Sequence, residues 1–250
     1  MENNDIIQDE LTIYFFDVGQ GDSIFVQNQD KCMLIDAGNN PDGKYISRFL
    51  RKTLNIKKID YLICTHAHED HAGGIDIIID DFEIGEFFMP KKSTTTKTFT
   101  DILDAAEKKG LKAKSPSIGT KFNVGLAECE VMTQNDNAEE LNETSIVIEM
   151  TFGKLKYLFA ADMEVANEES RTWNDIDVLK VAHHGSVYTT TKPFLKQVKP
   201  EIAIITCGKN NEYYYPHEKV LKRLKEVGCN QIYVTSEKRN NPDYVKWSWK

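Results

Sequence analysis

The chain reads as a layered α/β protein, a core of two β-sheets with helices outside. Three observations predict this. Strand-like and helix-like patterns alternate along the 250 residues. No linker is long or polar enough to divide them, so one domain over residues 1–250 is expected. Two strands, at 60–65 and 177–182, each open with aspartate and deliver a histidine six residues after it, His66 in one half and His183 in the other. Open α/β sheets place their chemistry at such strand ends.

In chain order, residues 11–16, 22–28 and 31–36 are β-rich and are broken by Gly19, Gly21 and the polar stretch 28–31, which predicts three strands joined by tight turns. From Pro41 to Leu54 the pattern turns helical, with Tyr45 and Phe49, and Ile46 and Leu50, at i,i+4 spacing. Residues 60–65 are continuously apolar, the mark of a strand buried on both faces. After Gly73 and Gly74 a short helix is expected, then a strand near 84–89. Residues 91–97 read as an exposed loop and 98–109 as a helix. Strands are expected within 121–133 and 145–160, then a helix over 164–171 and the strand 177–182. A helix over 191–198 and a strand at 202–207 follow, then a helix over 216–227 with Pro216 in its first turn. Strands at 230–235 and 243–249 close the chain. The last alternates Tyr244, Lys246 and Ser248 against Val245, Trp247 and Trp249.

A formal charge of −8 argues against a broad, sequence-independent grip on nucleic acid, which needs a basic face. Nucleic acid substrates stay open, because two bound divalent ions would add about four positive charges where a phosphate would sit. Five widely spaced cysteines without a CxxC pair read as buried thiols of a reducing compartment. The acidic start has no apolar segment, and no stretch approaches the ~18 apolar residues of a membrane span. A soluble, cytoplasmic protein is the expectation.

All six histidines lie in three clusters: His66, His68 and His71; His183 and His184; and His217. Three imidazoles and Asp70 within six positions is a ligand density that folding alone seldom needs. Neutral imidazoles bind borderline divalent ions well, and a carboxylate suits a harder position. These residues are too close in sequence to share a helix face, so an irregular loop is expected, with Gly73 and Gly74 letting it turn sharply. The spacing lets His66 and His68 address one ion and Asp70 and His71 another. Asp162 follows an apolar strand, where an unpaired carboxylate is costly unless something cationic meets it. Asp36 ends a strand and is placed to hydrogen-bond the loop ligands. Asp17 and Asp22 flank a glycine-rich turn that either approaches the site or merely turns the chain.

The stretch Thr65-His66-Ala67-His68-Glu69-Asp70-His71 resembles the HxHxDH signature of the metallo-β-lactamase superfamily. The resemblance implies a four-layer αββα sandwich with two divalent metal ions, zinc or manganese, at one edge. More specifically, the chain is similar to the ComEC/Rec2-type branch. Residues 16–23, residues 34–38, Asn142 with Ser145, Asp162, residues 181–186, and Gly208 through Asn211 to Pro216-His217 carry that likeness. The resemblance implies His66, His68, Asp70, His71, Asp162 and His217 as ligands, with Asp162 bridging. Relatives place a further histidine before the bridging aspartate, and here none occurs from 72 to 182. One of His183 and His184 must then complete the first ion's shell. The strand-end position favours His183, which leaves His184 as proton donor; the reverse assignment stays open. No channel-forming membrane domain is expected, so DNA uptake itself is not implied.

Two such ions would lower the pKa of a shared water toward ~7. Asp70 or Asp162 would orient that water or accept its proton, and His184 would protonate the leaving group. The expected activity is phosphodiester hydrolysis, of DNA, RNA or a smaller cyclic or signalling nucleotide. Ser186 and residues 189–191 offer hydroxyls for a phosphate, Lys91, Lys92 and Lys97 a steering loop, and the tyrosines at 213–215 either a base-stacking surface or plain packing. A lactonase- or β-lactamase-like carbonyl hydrolase is the rival enzyme. Di-iron redox relatives carry a carboxylate where His68 stands, and a metal-holding binding module is the non-enzymatic rival.

Overall fold

A computed structural model describes residues 10–237 and 244–249. The acidic start over residues 1–9, with its expected lack of a leader, lies outside the described residues. The elements are β1 (Leu11–Phe16), β2 (Ile24–Asn28), β3 (Lys31–Ile35), α1 (Asp42–Lys52), β4 (Lys58–Ile63), α2 (Glu69–Ala72), α3 (Ile75–Asp81) and β5 (Glu83–Phe88). Then come α4 (Lys97–Lys108), β6 (Ala113–Lys114), β7 (Lys121–Val124), β8 (Ala127–Thr133), β9 (Val147–Phe152), β10 (Leu155–Phe159) and α5 (Val165–Glu169). Last are β11 (Val178–Lys180), α6 (Lys192–Val198), β12 (Ile202–Ile205), α7 (Glu218–Glu226), β13 (Gln231–Val234) and β14 (Tyr244–Trp249).

Among the described residues the strands form two seven-stranded sheets, ordered β14-β1-β2-β3-β4-β5-β6 and β13-β12-β11-β10-β9-β8-β7. Each sheet combines an antiparallel stretch with a parallel one, and the parallel stretches run from β3 to β6 and from β10 to β13. The echo between 60–65 and 177–182 is thus structural: β4 and β11 each lie in the parallel part of their own sheet.

Side-chain alternation builds three apolar layers, because successive residues of a strand face opposite ways. Ile13, Phe15, Ile24, Val26, Met33, Ile148, Met150 and Tyr157 fill the layer between the sheets. Phe16, Phe25, Leu34 and Leu62 face the helices of the first half, packing with Ile46, Leu50, Ile78 and Ile102. Leu158, Leu179, Ala203 and Ile205 do the same in the second half with Phe194, Leu195, Val220 and Leu224. The result is the expected αββα sandwich. On β14, Val245 and Trp247 join the middle layer while Tyr244 packs on the first-half helices, as the two-residue period requires.

Three expectations need correction. Residues 66–71 are not wholly irregular: Asp70 and His71 ride on the single helical turn α2, and only His66 and His68 precede it. Pro216 does not open a helix, since it precedes the N-cap residue His217 of α7. Gly73 and Gly74 do not turn the chain sharply, for they have φ of −55° and −93°. Their need for glycine is close approach: a Cβ on Gly73 would lie 2.3 Å from Asn40 N, and one on Gly74 2.5 Å from Ala37 O and 2.6 Å from Gly43 Cα. That contact seats the ligand-bearing turn against the segment carrying Asp36.

All five cysteines are buried. Burial pushes the Cys32 thiol up to about 12, and Cys207 and Cys229 to about 11, so they act as core residues and not as nucleophiles. No helix among the described residues is long and apolar enough to cross a membrane.

The close contact at Gly74 is testable. Gly74→Ala is expected to cost ~1–3 kcal/mol, since backbone atoms cannot step aside for the methyl group. A urea midpoint equal to that of the unaltered chain would refute this reading of the packing.

Candidate metal centre

Strand ends from both sheets meet at one place. Asp36 follows β3, His66 and His68 follow β4, Asp162 follows β10, and His183 and His184 follow β11. Several of these positions are strained. Asp36, Ala161, His183 and His184 have φ of 58°, 47°, 45° and 53°, a region that side-chain-bearing residues disfavour by ~1–3 kcal/mol each. Local bonds hold the turn: the His183 N–H donates to the Ala161 carbonyl at 3.0 Å, and the Ser186 N–H to the His183 carbonyl at 2.8 Å.

Outer hydrogen bonds decide which ring nitrogens carry protons. His184 Nδ1 donates to the Thr206 carbonyl at 2.8 Å, which leaves Nε2 with its lone pair. His71 Nδ1 donates to Asp36 Oδ2 at 2.8 Å, again freeing Nε2. The Thr65 hydroxyl gives its proton to Asp36 Oδ2 at 2.7 Å, so it accepts from His66 Nδ1 at 3.1 Å and frees His66 Nε2. These assignments follow from the network. His71 Nε2 and His184 Nε2 then stand 3.2 Å apart. Asp162 lies 3.3 Å from each, through Oδ1 to His71 and Oδ2 to His184, and Asp70 Oδ2 is 3.4 Å from His184 Nε2. His68 Nδ1 lies 3.1 Å from His66 Nε2.

Lone pairs facing lone pairs and carboxylates require positive charge between them. Burial alone would depress His71 and His184, but Asp162 with Asp70 and other carboxylates outweighs it and raises both well above their ordinary 6.5. His66 is pushed the other way, by its burial and then by His71. Asp70 is drawn down to about 2; burial opposes this, and the histidines beside it win.

Beneath the cluster lies a second charge layer. Lys180, fully buried in β11, forms an ion pair with Asp22, donates to the Ala161 carbonyl at 3.0 Å and sits 3.8 Å from Asp162 Oδ1. The Thr206 hydroxyl also donates to Asp22. Asp22 is therefore part of the site's support. Asp17 is the turn former, accepting from the Gly19 N–H at 3.1 Å. Sequence reasoning missed Lys180, although a lysine inside a strand expected to be buried was itself a signal that a carboxylate must meet it.

Of the two adjacent histidines, His184 and not the expected His183 converges with Asp70, His71 and Asp162. His184 is buried and points Nε2 into the cluster, whereas His183 is 23% exposed, stands 3.7 Å from Asp162 and ties its Nδ1 to Glu164 at 2.9 Å. The left-handed backbone at both residues turns the strand-end argument by one position. His217 is not among the converging groups: its Nδ1 accepts the Val187 N–H at 3.0 Å. Ser186 and Thr189 are buried, and the 186–191 loop is locked from behind. Glu168 accepts from the Thr190 and Thr191 N–H groups, and Arg223 donates to the Val187, Thr189 and Thr190 carbonyls. Lys92 donates to the Ala138 carbonyl, and Lys91 and Lys97 pair with Asp136 and Asp101, so none of them lines the cleft of about 490 Å³ that opens onto the cluster.

The donor set suits a divalent cation. Asp70, His71, Asp162 and His184 each offer an atom, all within 4.8 Å of one another. Asp162 Oδ1 is buried without a hydrogen-bond partner, an orphan that a cation would satisfy. Asp22, Asp36 and His71 also converge, but Lys180 already neutralises that group.

Two outcomes follow. His184→Ala is expected to lose bound metal by elemental analysis while His183→Ala keeps it; equal metal in both would refute the exchange of roles. In metal-free protein, protonated His71 and His184 stabilise the fold fully below pH 6.5, and that gain is lost as pH rises through their raised values. Added zinc or manganese must displace those protons, so its stabilisation should grow over the same range. Melting curves from pH 6 to 9, with and without metal, check both slopes; parallel curves would refute the linkage.

A profile of the metallo-β-lactamase superfamily matches residues 16–209. ComE operon protein 3 of Bacillus subtilis (strain 168) is 30% identical over 242 residues, covering 88% of this chain and 31% of that protein. Recombination protein 2 of Haemophilus influenzae is 31% identical over 216 residues, covering 83% of this chain and 26% of that protein. The chain thus spans less than a third of the length of these curated relatives. Among solved structures, the metallo-β-lactamase fold protein YhfI from Bacillus subtilis superposes with a TM-score of 0.61 at 13% identity, covering 96% of this chain and all of that one. With its αββα layers and its histidine–aspartate cluster at the strand ends, the chain belongs to the metallo-β-lactamase superfamily, and within it is similar to proteins of the ComEC/Rec2 type.

Proposed function

We propose that this chain is a phosphodiesterase acting on DNA, RNA or a smaller nucleotide diester with two divalent ions, zinc or manganese. The observation that carries the reading is the convergence of imidazole nitrogens and carboxylates from Asp70, His71, Asp162 and His184 beside an open cleft. His66 and His68, 3.1 Å apart, supply a second pair of nitrogens next to it. When bound, such ions supply Lewis acidity and a hydroxide nucleophile near neutral pH.

The chain's own residues divide the remaining work. Asp162 directs one oxygen toward His71 and the other toward His184 and so sits between the two imidazoles. Asp36, Thr65 and the Thr206 carbonyl fix the imidazole tautomers. Lys180 and Asp22 hold the floor. His183 takes the proton-donor role first expected of His184. Its Nδ1 donates to Glu164, whose carboxylate also accepts from Asn142 Nδ2 at 3.1 Å; Nε2 is then the atom that would take up a proton from solvent and pass it to the leaving oxygen. The buried cysteines support a reducing, cytoplasmic setting.

Joint replacement of Asp70 and His71 by alanine should lower hydrolysis of bis-p-nitrophenyl phosphate about a hundredfold or more, with manganese or zinc present and circular dichroism unchanged. Equal rates in the variant and the unaltered chain would overturn the proposal.

A second prediction concerns the charged floor. Lys180→Met leaves Asp22 buried without its lysine counter-charge and should cost ~3–5 kcal/mol in urea unfolding. A loss below about 1 kcal/mol, the scale of an exposed pair, would show that Lys180 is not the counter-charge.

A further inference from the structure

The cleft beside the metal cluster has an unusual lining for an enzyme of phosphate esters. Carboxylates (Glu69, Asp70, Asp162 and Glu212), amides and aromatic rings line it, and no lysine or arginine does among the described residues. Apart from a bound metal and the imidazoles of His68, His183 and His184 at the cluster itself, the described lining offers no basic side chain to a phosphate chain. Affinity for the rest of the substrate must come from uncharged contacts.

Two features supply them. Tyr213 and Tyr215 form one wall, their rings stacked at 5.4 Å and 17°. Tyr215 in turn lies 6.3 Å from the His184 ring at 28°, so the aromatic wall begins at the cluster and runs outward. Tyr213 is 51% exposed, which places it outside the core. Its loop is a built one: the Asn211 side chain donates to the Gly208 and Tyr215 carbonyls and accepts from the Tyr215 N–H. The second feature is a pair of acceptors. Gln20 Oε1 and Asn142 Oδ1, on two residues of the same lining, are buried without a protein hydrogen-bond partner. Asn142 Nδ2 bonds Glu164, which fixes Oδ1 as the free end. Buried acceptors of this kind call for a donor.

We propose that this cleft is a nucleoside subsite: the substrate carries a nucleobase set against Tyr213 and Tyr215, with base N–H or sugar O–H groups donating to Gln20 and Asn142. A nucleoside unites an aromatic ring, several donors and no charge of its own, which is the chemistry the lining selects. The inference rests on the phosphodiesterase reading and assigns the residues that would seat the nucleoside part of its substrate. It makes Tyr213 a specificity residue that does not touch the reacting atoms.

The test compares thymidine 5′-(p-nitrophenyl phosphate) with methyl p-nitrophenyl phosphate, in the full chain with manganese. Tyr213→Ala should lower the ratio of kcat/KM values, nucleoside ester over methyl ester, about tenfold, and Tyr213→Phe should restore it. Tyr214→Ala, at an 84% exposed position outside the lining, should leave the ratio as it is. An unchanged ratio in Tyr213→Ala, or an equal fall in Tyr214→Ala, overturns the subsite. Saturation-transfer NMR with adenosine is the arm that needs no turnover. Transfer lost in Tyr213→Ala supports the subsite even if neither ester is hydrolysed, a result that would sink the phosphodiesterase reading alone. Equal transfer in both proteins overturns the subsite.

Discussion

Asp22, Asp36 and Asp162 are buried at strand ends where the two sheets meet, each at most 2% exposed. Carboxylates so placed cannot remain unless cations or strong donors meet them, because removal from water costs several kcal/mol per ion. Every neighbouring choice answers that demand. Lys180 reaches from the last residue of β11 to Asp22 and toward Asp162. Thr65 and His71 crowd their protons onto Asp36. His71 and His184 are left with nitrogens that accept either protons or a metal. The floor is charge-balanced by the protein itself, and the layer above it is left short of positive charge, which makes it a place to hold cations.

Rigidity follows from the same economy of polar groups. The loop after His184 cannot drift, because Glu168 takes its N–H groups and Arg223 its carbonyls. Glu168 can serve this way only because it is buried and given several donors. The Asn211 side chain closes the loop bearing Tyr213 in a similar manner. Strain is tolerated at Asp36, whose N–H donates to the Ile63 carbonyl and whose carboxylate accepts from Thr65, and at Ala161 and His183, where the His183 N–H donates to the Ala161 carbonyl and the Ser186 N–H to the His183 carbonyl. The cleft's lining of amides, tyrosines, histidines and carboxylates fits the uncharged aromatic group proposed above.

Much of this was legible in the residues. Alternation and apolar runs located nearly every strand and helix, since both periodicities are local. The short strand β6 carries only two residues, both exposed, and no pattern marks it. The density of His66, His68, Asp70 and His71 marked the ligand turn, and the apolar approach to Asp36 and Asp162 marked their burial. Close packing is different. Gly73 and Gly74 announced a special backbone, but only the neighbouring Ala37–Asn40 segment shows that the need is closeness and not turning.

What the sequence by itself determined is the inventory: two echoing halves, buried strands that end in histidine or aspartate, and the ligand types available. What only the tertiary structure decided is which of those groups face one another. His183 and His184 are adjacent and chemically alike, yet consecutive left-handed residues send one ring to the cluster and the other to Glu164. His217, although a histidine near the same strand ends, spends its Nδ1 on Val187. Lys180 becomes a counter-charge only because β1–β2, more than 150 residues away, carries Asp22 to it. A local pattern states what a residue can do; direction and partner depend on long-range packing, which leaves no period in the chain.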